Sequence, residues 1–166
     1  MYQGESMSNN ATSVNTTMVN AAFLQEVKDS NLQFWQNVHD FKRLLQQSAE
    51  VVEQAAKLVR LLSELRDSMA LEFSLEETYG YIEGNCTANS VSACKAGQAK
   101  RQHRELYLHL HEISESAEEA QYRGTIVQDY AALVGRCQEF LAVLEAHEKH
   151  ESELIRYELG IGRFGS

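Results

Sequence analysis

Over residues 130–158, apolar side chains recur at steps of three and four along a single line: Tyr130, Leu133, Cys137, Phe140, Leu144, His147, Glu151, Leu154 and Glu158. Unbroken alternation of this kind predicts one long helix with a face buried against partner helices. Ahead of the terminal Glu158, two members interrupt the otherwise apolar line. His147 and Glu151 stand one turn apart and project from the same side. Burying them without partners costs on the order of several kcal/mol, so the pattern calls for a compensating group. A metal ion is the leading candidate.

The same departure recurs upstream. A second helical line, Leu58, Leu62, Leu65 and Met69, continues in register into Glu72 and Glu76. A third, predicted from about residue 97 to 120, runs Ala99, His103, Leu106, Leu110, Ile113 and Ala117, with Tyr107 facing nearly the same way as His103. His109 and His111 fall off that line, on the solvent side. The first helical pattern places Val27, Phe34, Val38, Phe41 and Leu45 on one side, with Trp35 and His39 at its border; His39 leans inward.

The connections are a turn between residues 46 and 54, a Gly-, Asn- and Ser-rich loop over 84–97, and a short link over 121–125. Residues 1–17 read as a flexible leader and 161–166 as a short tail. Four amphipathic segments joined in this way over 18–160 predict an all-α, up-down-up-down antiparallel four-helix bundle.

Composition narrows the function classes. With 166 residues the chain is long enough for one domain with a real core. Proline is absent, which favours long helices. A net charge of −9 argues against a nucleic-acid-binding surface. No apolar run reaches membrane-spanning length and the polar start lacks a signal pattern, so the expected location is the cytoplasm, with no membrane partner. In that setting the Asn-x-Ser/Thr triplets at Asn10, Asn15 and Asn85 carry no meaning, and Cys86 and Cys94 read as ordinary thiols. Cys137 reads as a small, inert core residue.

The inward polar groups are then His39; Glu72 and Glu76; His103; and His147 and Glu151, at least one per predicted helix. Imidazole with carboxylate suits iron, manganese or zinc, whereas calcium and magnesium prefer oxygen cages. Six such side chains exceed the needs of one tetrahedral ion, and two carboxylate-bridged ions fit the number better. A ferritin-like carboxylate bundle requires Glu-x-x-His pairs, and no histidine here has glutamate three residues before it.

In order and placement the segments QNVHDF around His39, LEFSLEE around Glu76, RQHREL around His103 and HEKHESEL around His147 resemble the haemerythrin-like (HHE cation-binding) domains. The resemblance spans roughly residues 31–159. It implies that Glu76 and Glu151 bridge two irons, with an oxo or hydroxo group between them. His103 and His147 would hold one iron, and His39 and Glu72 the other. The chain departs from that family in three ways: Glu72 stands where histidine is usual, Tyr107 stands where oxygen carriers have histidine, and the last pair is spaced i+4. These differences point away from a dedicated oxygen carrier and toward the six-ligand branch of iron-centre repair proteins and iron, oxygen or nitric-oxide sensors. A third carboxylate would favour the ferric state and admit manganese. Tyr107 becomes a candidate to bind an oxygen species or the metal, with plain core packing as its alternative.

The expected function is a non-haem di-iron protein, monomer or homodimer, that reacts with or senses O2, peroxide or NO, or stores and supplies iron. If it is an enzyme, it is a peroxide- or O2-dependent oxidoreductase. Two alternatives use His39 or no metal: a histidine phosphotransfer bundle, suggested by His39-Asp40-Phe41-Lys42, which requires His39 exposed; and a metal-free helical interaction module, whose core polar groups would bond one another.

Overall fold

The computed structural model describes residues 14–86 and 91–160. The chain is all-α apart from one small ribbon. Strand β1 (Val14–Val19) leads through Asn20 into helix α1 (Ala21–Ser30), and α2 (Leu32–Gln46) follows after a single non-helical residue, Asn31. Helix α3 (Val51–Leu75) passes into a π-helical turn (Glu76–Gly80) and then strand β2 (Tyr81–Cys86). Two long helices, α4 (Val91–Arg123) and α5 (Ile126–Leu159), complete the chain.

Three expectations change at this level. The opening helical pattern is two helices, α1 and α2. They meet at Asn31, whose φ of −94° and ψ of 72° leave the helical region. Residues 14–17, expected in the leader, are part of β1, whose β-branched Val and Thr residues suit a strand. Its antiparallel partner is β2, in register from Val14 opposite Cys86 to Val19 opposite Tyr81. Helix α4 also starts earlier than residue 97. The remaining leader (1–13), the tail (161–166) and part of the central loop (87–90) lie outside the described residues.

Helix α2 packs on α3, α3 on α4, α4 on α5, and α1 against α5 and the π turn. The α4–α5 link closes through Gly124, whose φ of +76° disfavours any side-chain-bearing residue. The heptad lines read from sequence are the buried ones: Leu58, Leu62, Leu65 and Met69 of α3; Ala99, Leu106, Leu110, Ile113 and Ala117 of α4; and Leu133, Cys137, Phe140 and Leu144 of α5. Burial pushes the Cys137 thiol up to about 12, so it stays protonated and inert, and Cys94 is a free, exposed thiol.

Apolar burial falls into two clusters. The larger joins α2, α3, α4 and α5. The smaller gathers Val19, Leu24, Tyr81, Ala96, Ala99, Leu154 and Ile155, where the ribbon and α1 cover the ends of α4 and α5. Along each of α3, α4 and α5 the polar positions fall between these clusters. Phe73 and Tyr81 flank Glu76, Ala99 and Leu106 flank His103, and Leu144 and Leu154 flank His147 and Glu151.

Candidate metal centre

That polar layer brings Glu76, His103, His147 and Glu151 together. All four are buried, and one ligand atom from each lies within 4.8 Å of the others. His103 Nε2 is 3.1 Å from Glu76 Oε2 and 3.4 Å from Glu151 Oε2; His147 Nε2 is 2.9 Å from Glu151 Oε1. Yet Glu76 Oε2, His103 Nε2 and His147 Nε2 have no hydrogen-bond partner. The atoms are near one another but not aligned as donor and acceptor. Convergence on shared space, rather than pairing along bond axes, is what a cation site requires.

The surroundings fix the imidazoles. Phe73 stacks flat on His103 with ring centroids 4.0 Å apart, and Tyr81 meets the same ring edge-on at 5.7 Å. His147 Nδ1 lies 2.8 Å from the amide oxygen of Gln102. An amide oxygen accepts, so Nδ1 carries a hydrogen and Nε2 is the ring nitrogen directed at the cluster.

A basic group absent from the expected set completes the layer. Lys28 of α1 is only 8% exposed, and its Nζ donates to Glu76 Oε1 (3.0 Å), Glu148 Oε2 (2.7 Å) and Glu151 Oε1 (3.0 Å). Burial works against its charge, but Glu151, Glu148 and Glu76 outweigh burial and hold the ammonium well above the usual lysine range. Two close approaches seat α1 here. The Asn20 amide donates to the Gly80 carbonyl at 2.8 Å, and a Cβ on Gly80 would come within 2.8 Å of Leu24 Cδ1. Leu24 lies one turn before Lys28 on the same helix. Tyr81 also contributes, its hydroxyl donating to Glu151 Oε2 at 2.5 Å.

The electrostatics follow from this crowding. Burial raises Glu76 to about 7, against the opposing proximity of His103 and Lys28. Glu151 is itself buried, but contacts from His103, His147 and Lys28 hold it well below the ordinary carboxylate range. His103 is raised to about 9, because its contacts with Glu151 and Glu76 overcome desolvation.

The other expected site residues lie elsewhere. His39 is exposed on α2, because the buried face there is formed by Phe34, Asn37, Val38, Phe41 and Leu44 and turns it outward. It does not join the cluster. Tyr107 is 37% exposed and stacks on His111 with centroids 5.9 Å apart, one turn beyond His103; the phenol at the cluster is Tyr81. Glu72 is fully buried one turn before Glu76, and its Oε2 accepts from Asn31 Nδ2 at 2.7 Å. It lines the layer without entering the four-residue group.

A hollow of about 210 Å³ between α4 and α5, lined by Gln102, Leu106, Val143, Ala146, His147 and His150, reaches the outer side of His147. It leads from the surface to a candidate ligand. No described helix is long and apolar enough to cross a membrane. Comparison of the chain with protein-family models, curated proteins and solved structures returns no match.

Proposed function

We propose that the protein is a non-haem metal-binding protein. In this reading Glu76, His103, His147 and Glu151 hold a redox-active divalent ion, iron first and manganese second, and the centre reacts with or senses O2, peroxide or NO. One observation carries it: buried imidazole nitrogens and carboxylate oxygens converge within 4.8 Å while three of those atoms lack hydrogen-bond partners. Two imidazoles with two carboxylates form a ligand set suited to first-row transition metals. The ion, when bound, would supply electrons to a small oxidant. The chain's own residues orient and shield the ligands: Gln102 sets the His147 tautomer, Phe73 and Tyr81 fix the His103 ring, and a small hollow lies beside His147.

The resemblance of the QNVHDF, LEFSLEE, RQHREL and HEKHESEL segments to haemerythrin-like domains supports the same chemistry. The two-iron form of the reading drew its second ligand pair from His39 and Glu72. His39 is exposed, and Glu72 accepts from Asn31 through Oε2 while its buried Oε1 has no partner, so the four-residue group is the complete ligand set and Glu72 stands beside it. The test is anaerobic loading with ferrous iron followed by NO, monitored by absorbance and EPR. Retained iron with a nitrosyl signal in the wild type, lost in His103→Ala and His147→Ala, is the expected result. Iron that washes off the wild type as readily as off the variants would overturn it.

One observation favours a second reading. Histidine phosphotransfer needs an exposed His39, and His39 is exposed. The lysine that would steady the phosphate, Lys42, is instead engaged with Glu145 at 2.6 Å. Incubation with acetyl phosphate distinguishes the two: phosphotransfer predicts an acid-labile adduct on His39, and the metal-centre reading predicts none.

A further inference from the structure

We propose that the Lys28 ammonium occupies a second cation position of this centre, so that the cluster takes one divalent ion rather than two. The inference rests on the metal-centre reading above and concerns how many ions that centre admits.

Both carboxylates between the two positions are shared by them. Glu76 turns Oε1 to Lys28 and Oε2 to His103. Glu151 turns Oε1 to Lys28 and His147, and Oε2 to Tyr81 and His103. One side of this carboxylate pair faces imidazole nitrogens; the other faces a fixed positive charge.

The ammonium leaves no coordination vacancy on its side. It has three hydrogens and meets three carboxylate oxygens, from Glu76, Glu148 and Glu151, at 2.7–3.0 Å. A metal ion entering there would have to strip all three. The group is also held from behind: Trp35 Nε1 donates to the Lys28 carbonyl at 2.9 Å, and the Trp35 ring centroid is 5.8 Å from Nζ. With Leu24 seated on Gly80, α1 cannot lift away without breaking these contacts. Lysine supplies one positive charge where an ion would supply two, and it cannot exchange, dissociate or change oxidation state. The carboxylates of Glu76 and Glu151 are thereby held in a bridging posture before any metal arrives.

The test is the stoichiometry of cobalt(II), a spectroscopic probe for such sites, measured by elemental analysis after desalting and by EPR. One cobalt per chain with an uncoupled high-spin signal is expected for the wild type and for Lys28→Arg. Lys28→Ala, which vacates the position, is expected to take up a second cobalt, with loss of signal through coupling. Two cobalts per wild-type chain would overturn the proposal, as would a Lys28→Ala protein that stays at one cobalt with wild-type affinity. Wild-type protein that binds no cobalt would sink the metal-centre reading itself, and this inference with it. Should Lys28→Ala not fold, a lysine-selective ¹⁵N spectrum of zinc-loaded wild type gives the decision without a variant. A slowly exchanging ammonium resonance that persists on loading supports the assignment, and its disappearance overturns it.

Discussion

The two sides of the Glu76–Glu151 carboxylate pair are built from different parts of the chain and in opposite ways. On the histidine side, α4 and α5 bring His103 and His147 into a space where the donor atoms are close but unpartnered. On the lysine side, α1 brings an ammonium whose three hydrogens are all engaged. The same two carboxylates thus meet a filled site and an open one. The filled side satisfies buried charge at all times. The open side retains an electrostatic demand that a cation can meet, and that difference makes one side structural and the other chemical.

Substitutions separate the two sides. The largest effect belongs to Glu151→Ala, which removes a shared wall: Lys28, Tyr81, His103 and His147 all lose a partner. Breaking a buried pair on one side costs about 3–5 kcal/mol, so urea denaturation of the metal-free protein should show a loss of that size. Gly80→Ala acts on the lysine side alone. The new methyl would meet Leu24 at 2.8–2.9 Å and push α1 outward, an overpacking expected to destabilise by about 1–3 kcal/mol in the same assay. Tyr81→Phe deletes one hydrogen bond to a carboxylate while keeping the ring against His103, with an expected cost of about 1.5–3 kcal/mol. At the lower end, Lys42→Ala removes an exposed pair with Glu145 and should shift stability by no more than about 1 kcal/mol. Lys28 and Lys42 both touch carboxylates at comparable distances, and burial and the number of partners, three against one, set them apart.

The histidine side has its own signature. His103→Ala should abolish metal retention. Its effect on metal-free stability should be smaller than that of Glu151→Ala, because the Lys28 contacts survive it. A stability loss as large as that of Glu151→Ala would mean that the two sides are not separable. Calorimetric titration together with denaturation in a chelator-treated buffer checks both halves of this expectation.

The sequence revealed the open side far better than the filled one. His103, His147, Glu76 and Glu151 lie on long heptad lines where apolar neighbours above and below make a polar residue conspicuous. His39 misled because it borders the predicted face: Phe34, Val38 and Phe41 are buried as the periodicity predicts, but Asn37 and Leu44 complete that face on the opposite side and leave His39 outward. The opening helical pattern itself breaks at Asn31, without proline or glycine. That break concealed Lys28. Within α1 the buried positions are Ala21, Leu24 and Lys28, spaced three and four apart, so the lysine follows directly on a short apolar line. Ten residues are too few for that line to stand out. Tyr81 and the ribbon depend on pairing between residues some seventy apart, which local periodicity does not register. Gln102 and Glu148 each adjoin a candidate ligand in sequence, and only the packed structure distinguishes them from ordinary surface residues.

The central claim, that the open side is a metal site, is tested most directly by metal content. Untagged protein, loaded anaerobically with ferrous iron and freed of excess by gel filtration, would be analysed for metal per chain. The account predicts one iron per chain for the wild type and none for a His103→Ala, His147→Ala double variant. Wild-type protein that emerges without metal would contradict it.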